Sequence, residues 1–561
     1  MTTLVDVLVR SYKQTPDRVA IHLLEGDVNH SISYRVLLRG AGGYAQALAQ
    51  AGVGTGEPVV IILQHGRALI EAFFGAVLYG AIPAIMPFLT EKMSPDRYRE
   101  SLSSLMEITR PAAIITYPEF VPQARRAVHS ANFDCNILLP SDVTPISELM
   151  FDCLPGAKRS TEDLVLLQHS SGTTGLQKGV ALSHEAVLNQ VYSYADVIHM
   201  THEDIVVNWL PLYHDMGLIA GFLMPILLRA TLVLMSPFDW VRAPHRLLQA
   251  VSRYGGTLSW LPNFAYNFCA QKVRDRNMEG VSLSSWRAVI NCSEPMRWKS
   301  HKLFLEKFER YGLRRGALAT CYAMAENVFA VTQGGIGCPV VVDEVDRQAM
   351  QEQVARPAQN GSDTMMNLSV GQPISITKVR ILDVLQKPRR RELPERHIGE
   401  IAIQGACMLS GYYNRDDLTT QAFHEGWYLT GDLGYLANGE LFVTGRLKDL
   451  IIVGGKNIFP LDLEELAGEV SGVHPGRVVA FGVFNETLGT EEIAIVAEVD
   501  TNDPQERRRI AEEIRQEIAR GSDVTLRYSW IVDRKWLIKT SSGKLSRRAN
   551  RDKFLAEAKL A

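Results

Sequence analysis

Several things this 561-residue sequence lacks narrow its function before any motif is read. It has little net charge: 59 Lys and Arg against 62 Asp and Glu leave −3, so no global positive field exists to hold nucleic acid or an anionic membrane. Its seven cysteines, Cys135, Cys153, Cys269, Cys292, Cys321, Cys338 and Cys407, nowhere have C-x-x-C spacing. An odd and scattered set argues against a disulfide framework or a zinc site. The first residues show no basic stretch followed by an apolar run, so no secretory leader is expected and a reducing cytoplasm is the expected setting. Uninterrupted apolar runs are missing as well. Ala72–Leu89 is uncharged and nearly long enough to span a bilayer, but Pro83 and Pro87 break its second half. A buried helix through Gly80 followed by a strand at Pro83–Pro87 is expected there, not a membrane span. Gly217–Met235, which carries Pro225 and Arg229, reads in the same way. No internal repeat or low-complexity run is present.

What is there is ordinary for a folded protein: 46% hydrophobic and 22% charged residues, in a chain too long for one core. Helical patterns alternate with short apolar strands. Arg35–Ala51 reads as an amphipathic helix, Pro58–Leu63 as a buried strand, Glu71–Gly80 as a helix and Ala112–Thr116 as the next strand. Buried strands separated by helices imply parallel α/β layers. The polar stretch Asp343–Asp363 lacks strand signals and reads as an insertion or long surface loop. An Asn438-Gly439 hairpin precedes a change of character near Leu447–Asp449. Beyond it, VVAFGVF from Val478, EIAIVAEV and the charged helix Gln505–Arg520 are enough for a small α+β domain. The expected fold is therefore α/β. A large domain, 1–447, would have mostly parallel sheets flanked by helices plus a β-rich part, and a small mobile α+β domain would span 448–561.

The strongest local signal is His169-Ser170-Ser171-Gly172-Thr173-Thr174-Gly175-Leu176-Gln177-Lys178-Gly179. It follows the apolar strand Leu164–Leu167 and precedes a helix starting near His184. Small residues let a backbone approach phosphate oxygens, hydroxyls donate to them, and Lys178 supplies charge. It is not a Walker loop, because the G-x-x-x-x-G-K-S/T spacing is absent.

This stretch resembles the phosphate-binding loop of the adenylate-forming enzymes, which include acyl-CoA synthetases, peptide-synthetase adenylation domains and luciferases. Gln177 stands where their pattern has proline. Further segments follow in the family's order and cover nearly the whole chain. Trp209-Leu210-Pro211-Leu212-Tyr213-His214-Asp215-Met216-Gly217 resembles the acid-pocket motif, and Asn291-Cys292-Ser293-Glu294-Pro295 the turn beside adenine. Tyr322-Ala323-Met324-Ala325-Glu326 resembles the Y-G-x-T/A-E motif, with Ala323 in place of glycine. Trp427-Tyr428-Leu429-Thr430-Gly431-Asp432 resembles the ribose motif and Gly445-Arg446-Leu447-Lys448-Asp449 the hinge. Lys539-Thr540-Ser541-Ser542-Gly543-Lys544, with Arg547, resembles the C-terminal lysine motif.

The resemblance implies ATP as substrate and Mg²⁺ as cofactor. A carboxylate attacking the α-phosphate of ATP brings anions together, so positioning and electrostatics must supply most of the acceleration. By the resemblance, Lys544 would bridge the carboxylate oxygen and the α-phosphate, and Glu326 would hold Mg²⁺. Asp432 would accept both ribose hydroxyls with Arg446 assisting. The loop Ser170, Ser171, Gly172, Thr173, Thr174, Gly175 and Lys178 would hold the β- and γ-phosphates. Ser293, Glu294, Pro295, Tyr322 and Ala325 would complete the nucleotide site. His214 would gate an acid pocket that also includes Trp209 and Asn263, and Asp449 would be the hinge about which the small domain turns.

Pro211-Leu212-Tyr213-His214 has no carboxylate before the histidine, where amino-acid-activating domains hold the substrate amine, so an unaminated acid is expected. WLPLYHDMGLI, the P-N-F-A-Y run, the S-E-P turn and Y-x-M-A-E resemble fatty acyl-AMP ligases. That branch carries an extra segment matched in place by 337–361, held to hinder the rotation needed for CoA. Gly454-Gly455-Lys456-Asn457 looks as much like the acyl-CoA synthetases. The acceptor is thus either the phosphopantetheine thiol of a separate acyl carrier protein, since no carrier serine motif occurs in the chain, or CoA. A catalytically silent nucleotide-binding homologue is the remaining alternative, suggested by Gln177 and Ala323.

Overall fold

The computed structural model describes residues 2–89, 95–170, 178–360, 363–384, 390–453, 456–486, 490–522, 524–540 and 544–558. The chain divides into two compact units. The first comprises Met1–Val341, Val370–Lys378 and Ile403–Tyr428; the second comprises Val342–Ser369, Val379–Ala402 and Leu429–Ala561. The α/β class expected from sequence is the class observed. The expected boundary at 447–448 falls inside the second unit.

A nine-stranded sheet dominates the first unit. Its order is Gln372–Pro373, Ala330–Gly334, Leu318–Ala323, Ala288–Cys292, Leu258–Leu261, Ile205–Asn208, Thr231–Met235, Val19–Glu25 and Val28–Ser33. Strands from Leu318–Ala323 through Val19–Glu25 are parallel to their neighbours, and the edges are antiparallel. The apolar runs that form them, such as Val289, Ile290 and Cys292, are buried on both faces, as central parallel strands must be. A second, wholly parallel sheet joins Ile82–Ile85, Pro58–Ile62, Ala113–Thr116 and Asn136–Leu138. The helix Arg67–Tyr79 ends at Gly80, and the chain enters the strand Ile82–Ile85 as the proline positions require. Among the described residues no helix is long and apolar enough to cross a membrane.

The third sheet of this unit corrects the strand–loop–helix reading. Leu164–Ser170 pairs antiparallel with a strand, Lys178–Ser183, that lies between the loop and the helix at His184. Gly411–Tyr412 adds to the other edge of Lys178–Ser183. The segments on either side of the motif, Leu164–Ser170 and Lys178–Ser183, are therefore paired strands. The run KGVALS is short enough, and close enough to a Ser183 N-cap, to be taken for the approach to the helix.

The second unit holds mostly antiparallel sheets, with one parallel pair, Thr490–Val499 and Leu526–Val532. Trp427–Ala437 and Glu440–Arg446 form the hairpin expected at Asn438-Gly439, whose φ values of 53° and 77° suit a tight primed turn. Asp343–Asp363 is not a surface loop. Val342–Asp346 pairs with Thr364–Leu368, and the short helix Arg347–Gln351 lies between them. Val345 and Met350 are buried in a core with Leu433, Tyr435, Phe442 and Phe459. The sequence D-E-V-D buries a single residue, too little apolar alternation to signal a strand. Nearer the C-terminus, Val473–Asn485, Thr490–Val499 and Leu526–Val532 make a three-stranded sheet. Val478 and Ala480 face one core, with Ile510, Ile514 and Ile518 of the helix Pro504–Gly521. Val479 and Phe481 face another, with Phe554 of the helix Arg547–Glu557. Period-two alternation with both faces covered explains the unbroken apolar run VVAFGVF.

Candidate active site

Four of the motif segments leave the C-terminal ends of four parallel strands that lie side by side in the first unit. Trp209–Gly217 follows Ile205–Asn208, Asn263 follows Leu258–Leu261, Ser293–Pro295 follows Ala288–Cys292, and Met324–Glu326 follows Leu318–Ala323. In open parallel sheets this end is where ligands bind, because the helical returns leave a crevice there.

Each segment is fixed locally. Trp209 is buried and stacks on Trp240 with centroids 3.5 Å apart, and Phe264 packs edge-on to both. Neither indole N–H has a partner among the described residues. His214 Nδ1 pairs with Asp215 Oδ1 at 2.6 Å, and that oxygen also accepts the Met216 N–H at 2.7 Å. Asp215 thereby caps Met216–Leu223, which is wound as a π-helix. Asn208 sets that winding: its amide nitrogen donates to the Gly221 and Gly217 carbonyls at 3.0 and 3.4 Å, and its oxygen accepts the Leu210 N–H at 2.9 Å. A Cβ on Gly221 would lie 2.3 Å from the same nitrogen, which is why glycine stands there. π-turns of this kind often mark functional sites.

Asn263 spends its amide on support. It donates to Ser300 Oγ at 3.1 Å and accepts from Asn291 Nδ2 and the Arg297 N–H at 3.0 and 3.2 Å. Asn291 Nδ2 also faces His301 Nε2 at 3.0 Å. This buried network carries the turn Ser293–Pro295. Ser293 has φ +71°, with Oγ 3.8 Å from Met216 Sδ, and Glu294 Oε2 accepts the Phe264 N–H at 3.2 Å. The turn Ser293–Pro295 is thus tied to both the π-helix and the Asn263 helix.

Tyr322 and Ala325 are buried. Just past Glu326, Val328 has φ 60° and ψ −53°, and the Phe329 N–H reaches back to the Asn327 carbonyl at 2.6 Å. That is a γ-turn of the rare, positive-φ kind, centred on a β-branched residue. The surroundings hold it in place: Asn327 Nδ2 donates to the Ala330 carbonyl at 2.7 Å, and Cys407 Sγ lies 3.2 Å from Asn327 Oδ1. Such strain persists only where packing over-determines it, and it gathers at functional sites.

The structure brings Lys178 and Glu326 to one side chain that sequence reasoning missed. Tyr412 OH donates to Glu326 Oε1 at 2.9 Å, and Lys178 Nζ lies 4.5 Å from the centroid of the Tyr412 ring. Tyr428 OH is 2.9 Å from Tyr412 OH. Burial first, then the Glu326 charge, pushes the Tyr412 phenol far above its ordinary value, so it stays a proton donor. The Leu409 N–H donates to the Glu326 carbonyl at 2.8 Å, which locks the turn to the same strand. Among the described residues no group of three or more His, Cys, Asp or Glu could hold a metal alone. A hard cation here would take Glu326 together with phosphate oxygens, a fit suited to Mg²⁺. Ser170 ends its strand, and the expected phosphate-loop residues Ser171, Gly172, Thr173, Thr174 and Gly175 lie outside the described residues.

In the second unit Asp432 and Arg446 are cross-strand partners, with Arg446 Nε 3.0 Å from Asp432 Oδ1. Asp432 is buried. Thr430 shapes the turn before it, donating to the Ile401 carbonyl at 2.7 Å and accepting the Asp432 N–H at 3.0 Å. Asp449 closes a short 3₁₀ turn after Arg446 and accepts from Arg547 at 2.6 Å. Lys544 lies three residues before Arg547, next to a bridge between Lys539 and Leu545. The Thr540 N–H donates to the Lys544 carbonyl at 2.7 Å.

The sequence model of the AMP-binding enzymes matches residues 8–413. The chain belongs to the AMP-binding enzyme family. It is 31% identical over 582 residues to a medium-chain-fatty-acid–[acyl-carrier-protein] ligase, JamA, of Moorena producens (strain JHB), covering 99% of this chain and 95% of that protein. It is 31% identical over 464 residues to a long-chain-fatty-acid–AMP ligase, FadD26, of Mycobacterium bovis (strain ATCC BAA-935 / AF2122/97), covering 79% of this chain and 76% of that one. Among solved structures, one from a study of fatty acyl-adenylate ligases from E. coli and L. pneumophila matches with a TM-score of 0.88 at 27% identity. That match covers 100% of this chain and 99% of the other. The resemblance to the adenylate-forming enzymes is borne out, and this AMP-binding enzyme is an ATP-dependent, AMP-forming ligase.

Proposed function

We propose that this ligase activates a fatty or related carboxylic acid as acyl-AMP and then transfers the acyl group to the phosphopantetheine thiol of a separate acyl carrier protein. In the first step a carboxylate oxygen attacks the α-phosphorus of ATP, the bond to the bridging oxygen breaks, and pyrophosphate leaves. In the second the thiolate attacks the acyl carbon and AMP departs. The observation that carries the reading is the convergence of Lys178 and Glu326 on Tyr412 in a chain that resembles such ligases along its whole length.

Lys178 and the loop beginning at Ser170 hold the β- and γ-phosphates. Glu326 holds Mg²⁺, which when bound neutralises charge on the leaving pyrophosphate. Ser293, Glu294 and Pro295, with Tyr322 and Ala325, shape the adenine side. Asp432 accepts the ribose hydroxyls, oriented by Arg446. Lys544 bridges the attacking carboxylate and the α-phosphate, and Asp449 is the hinge by which the small domain 448–561 turns against 1–447. Trp209 forms an aromatic wall of the acid pocket, His214 gates it, and Asn263 supports it from behind. The segment 337–361 restrains the turn needed for CoA.

Acyl transfer to CoA is the second reading, favoured by Lys456-Asn457 following two glycines. Both are tested by supplying ATP, Mg²⁺, a ladder of fatty acids and either CoA or a phosphopantetheinylated carrier protein, with products read by mass spectrometry. Acyl-adenylate that persists with CoA and is consumed by the carrier supports the proposal. Rapid acyl-CoA formation overturns the acceptor, and no acid-dependent pyrophosphate exchange overturns the adenylation.

A further inference from the structure

We infer that Tyr412 is a positioning residue that couples the phosphate-loop lysine to the metal-holding carboxylate, a role resting on the adenylation reading above. One side chain serves two groups through two different surfaces. Its ring face seats the Lys178 ammonium, at 4.5 Å, and its hydroxyl meets Glu326 Oε1 at 2.9 Å. A cation over a ring face is held by the ring quadrupole, which orients the ammonium without neutralising it. Lys178 so held keeps its N–H donors for phosphate oxygens. A phenol has one proton to give. Since Tyr412 gives it to Glu326, the 2.9 Å contact with Tyr428 must run the other way, with Tyr428 donating. The chain Tyr428 to Tyr412 to Glu326 is therefore directional, and with the Tyr428 hydroxyl also close to the carboxylate it holds Glu326 oriented as an acceptor for a cation.

The backbone makes this coupling stiff. Tyr412 pairs with Val180 and Gly411 with Ala181 on the strand that begins at Lys178, and the Tyr413 N–H donates to the Gly179 carbonyl at 2.8 Å. The Tyr412 N–H donates to Thr419 Oγ1 at 2.9 Å. Three residues earlier, Leu409 holds the Glu326 carbonyl. The strand Lys178–Ser183 and the Glu326 turn are thus tied to the same short segment, 409–413. Buried as they are, the two tyrosines shield this contact from water.

The test separates ring from hydroxyl. Tyr412→Phe keeps the ring under Lys178 and removes only the hydroxyl; Tyr412→Leu removes both. Mn²⁺ binding in the presence of ATP is read from the free-Mn²⁺ electron paramagnetic resonance signal, and ATP binding in EDTA by calorimetry. Tyr412→Phe is expected to weaken Mn²⁺ binding about tenfold, the usual scale for a lost outer hydrogen bond, while metal-free ATP affinity stays within about twofold of the parent. Tyr412→Leu weakens both. Tyr428→Phe weakens Mn²⁺ binding less than Tyr412→Phe does. Thermal unfolding of each variant checks that it is folded, and the near-isosteric phenylalanine keeps the test open if leucine is not tolerated. Mn²⁺ affinity in Tyr412→Phe within twofold of the parent overturns the inference. Absence of acid-dependent pyrophosphate exchange in the parent protein instead overturns the adenylation reading, so the two failures are distinct.

Discussion

Arg547 and Asp449 are joined by a 2.6 Å hydrogen-bonded ion pair across 98 residues of sequence, linking the 3₁₀ turn proposed as the hinge to the helix Arg547–Glu557. The same guanidinium donates to Glu464 Oε1 at 2.6 Å and to the Ala480 carbonyl at 2.8 Å. With side chains 18% and 21% exposed, the pair is largely withdrawn from solvent. Any turning about Asp449, as the proposed hinge requires, would therefore move or break this contact.

Arg547→Ala removes the donor to Asp449 and to the Ala480 carbonyl and leaves Glu464 only the Ala480 N–H, and a stability loss of about 1–3 kcal/mol is expected. Asp449→Ala leaves Arg547 with Glu464 and Ala480, so its loss is smaller. If Asp449 is the hinge, the aspartate variant keeps pyrophosphate exchange and changes the thioester-forming step. Chemical denaturation and the two half-reactions, measured separately, check this ordering. Equal loss of both half-reactions in Asp449→Ala argues against the hinge role.

Lys544→Ala is expected to slow acyl-adenylate formation by roughly 10²–10³, the scale of removing one donor that acts in the transition state. Lys544 is only half-buried, so the variant is expected to stay folded, which its melting temperature checks. Near-normal pyrophosphate exchange in a folded Lys544→Ala protein sinks its assignment.

Val328 makes a backbone prediction that inverts the usual order of substitutions. Alanine there loses buried methyl groups yet keeps the strained φ of 60°. Glycine loses the same methyls and sheds the strain, so Val328→Gly should be more stable than Val328→Ala by about 1 kcal/mol. Denaturant midpoints of the two variants give the sign. An alanine variant more stable than the glycine one would show that the γ-turn is not strained in solution.

His301 predicts a pH dependence. Burial lowers its pKa from 6.5 to about 4, and its Nε2 faces the Asn291 amide nitrogen as an acceptor. Protonation puts a donor against a donor, so protons favour the unfolded chain. The contribution is complete above pH 6.5 and is lost as pH falls from 6.5 to about 4, at most on the order of 3 kcal/mol. Denaturation at pH 7.5 and pH 4.5 should show a smaller acid loss in His301→Gln than in the parent. His65, His169 and His184, whose pKa values desolvation also lowers to about 4, leave a residual slope in both. An unaltered acid loss in His301→Gln would refute the account.

Local pattern was enough for much of this molecule. The helix at 34–50, the strands at 58–62 and 113–116 and the Asn438-Gly439 hairpin follow from periodicity and turn chemistry, which act between near neighbours. The motif segments could be named because each resembles a short run of the adenylate-forming enzymes, in the family's order. The strand Val342–Asp346 and the hairpin partner Lys178–Ser183 escaped notice because their burial depends on segments far along the chain. Tyr412 escaped for a related cause. Nothing in Gly411-Tyr412 marks a ligand, and its meaning comes from Lys178, more than two hundred positions earlier, and from Glu326, 86 positions earlier.

Chain order and residue type thus decide the fold class, the family and which short segments carry chemistry, since these depend on local backbone preference and side-chain type. Which groups act on one another is decided by packing. The Glu326–Tyr412–Lys178 coupling, the Arg547 clasp on Asp449, the π-turn under Asn208 and the strained turn at Val328 all need distant segments held within hydrogen-bonding or van der Waals range. Only burial of the assembled sheets and helices supplies the free energy to hold them there.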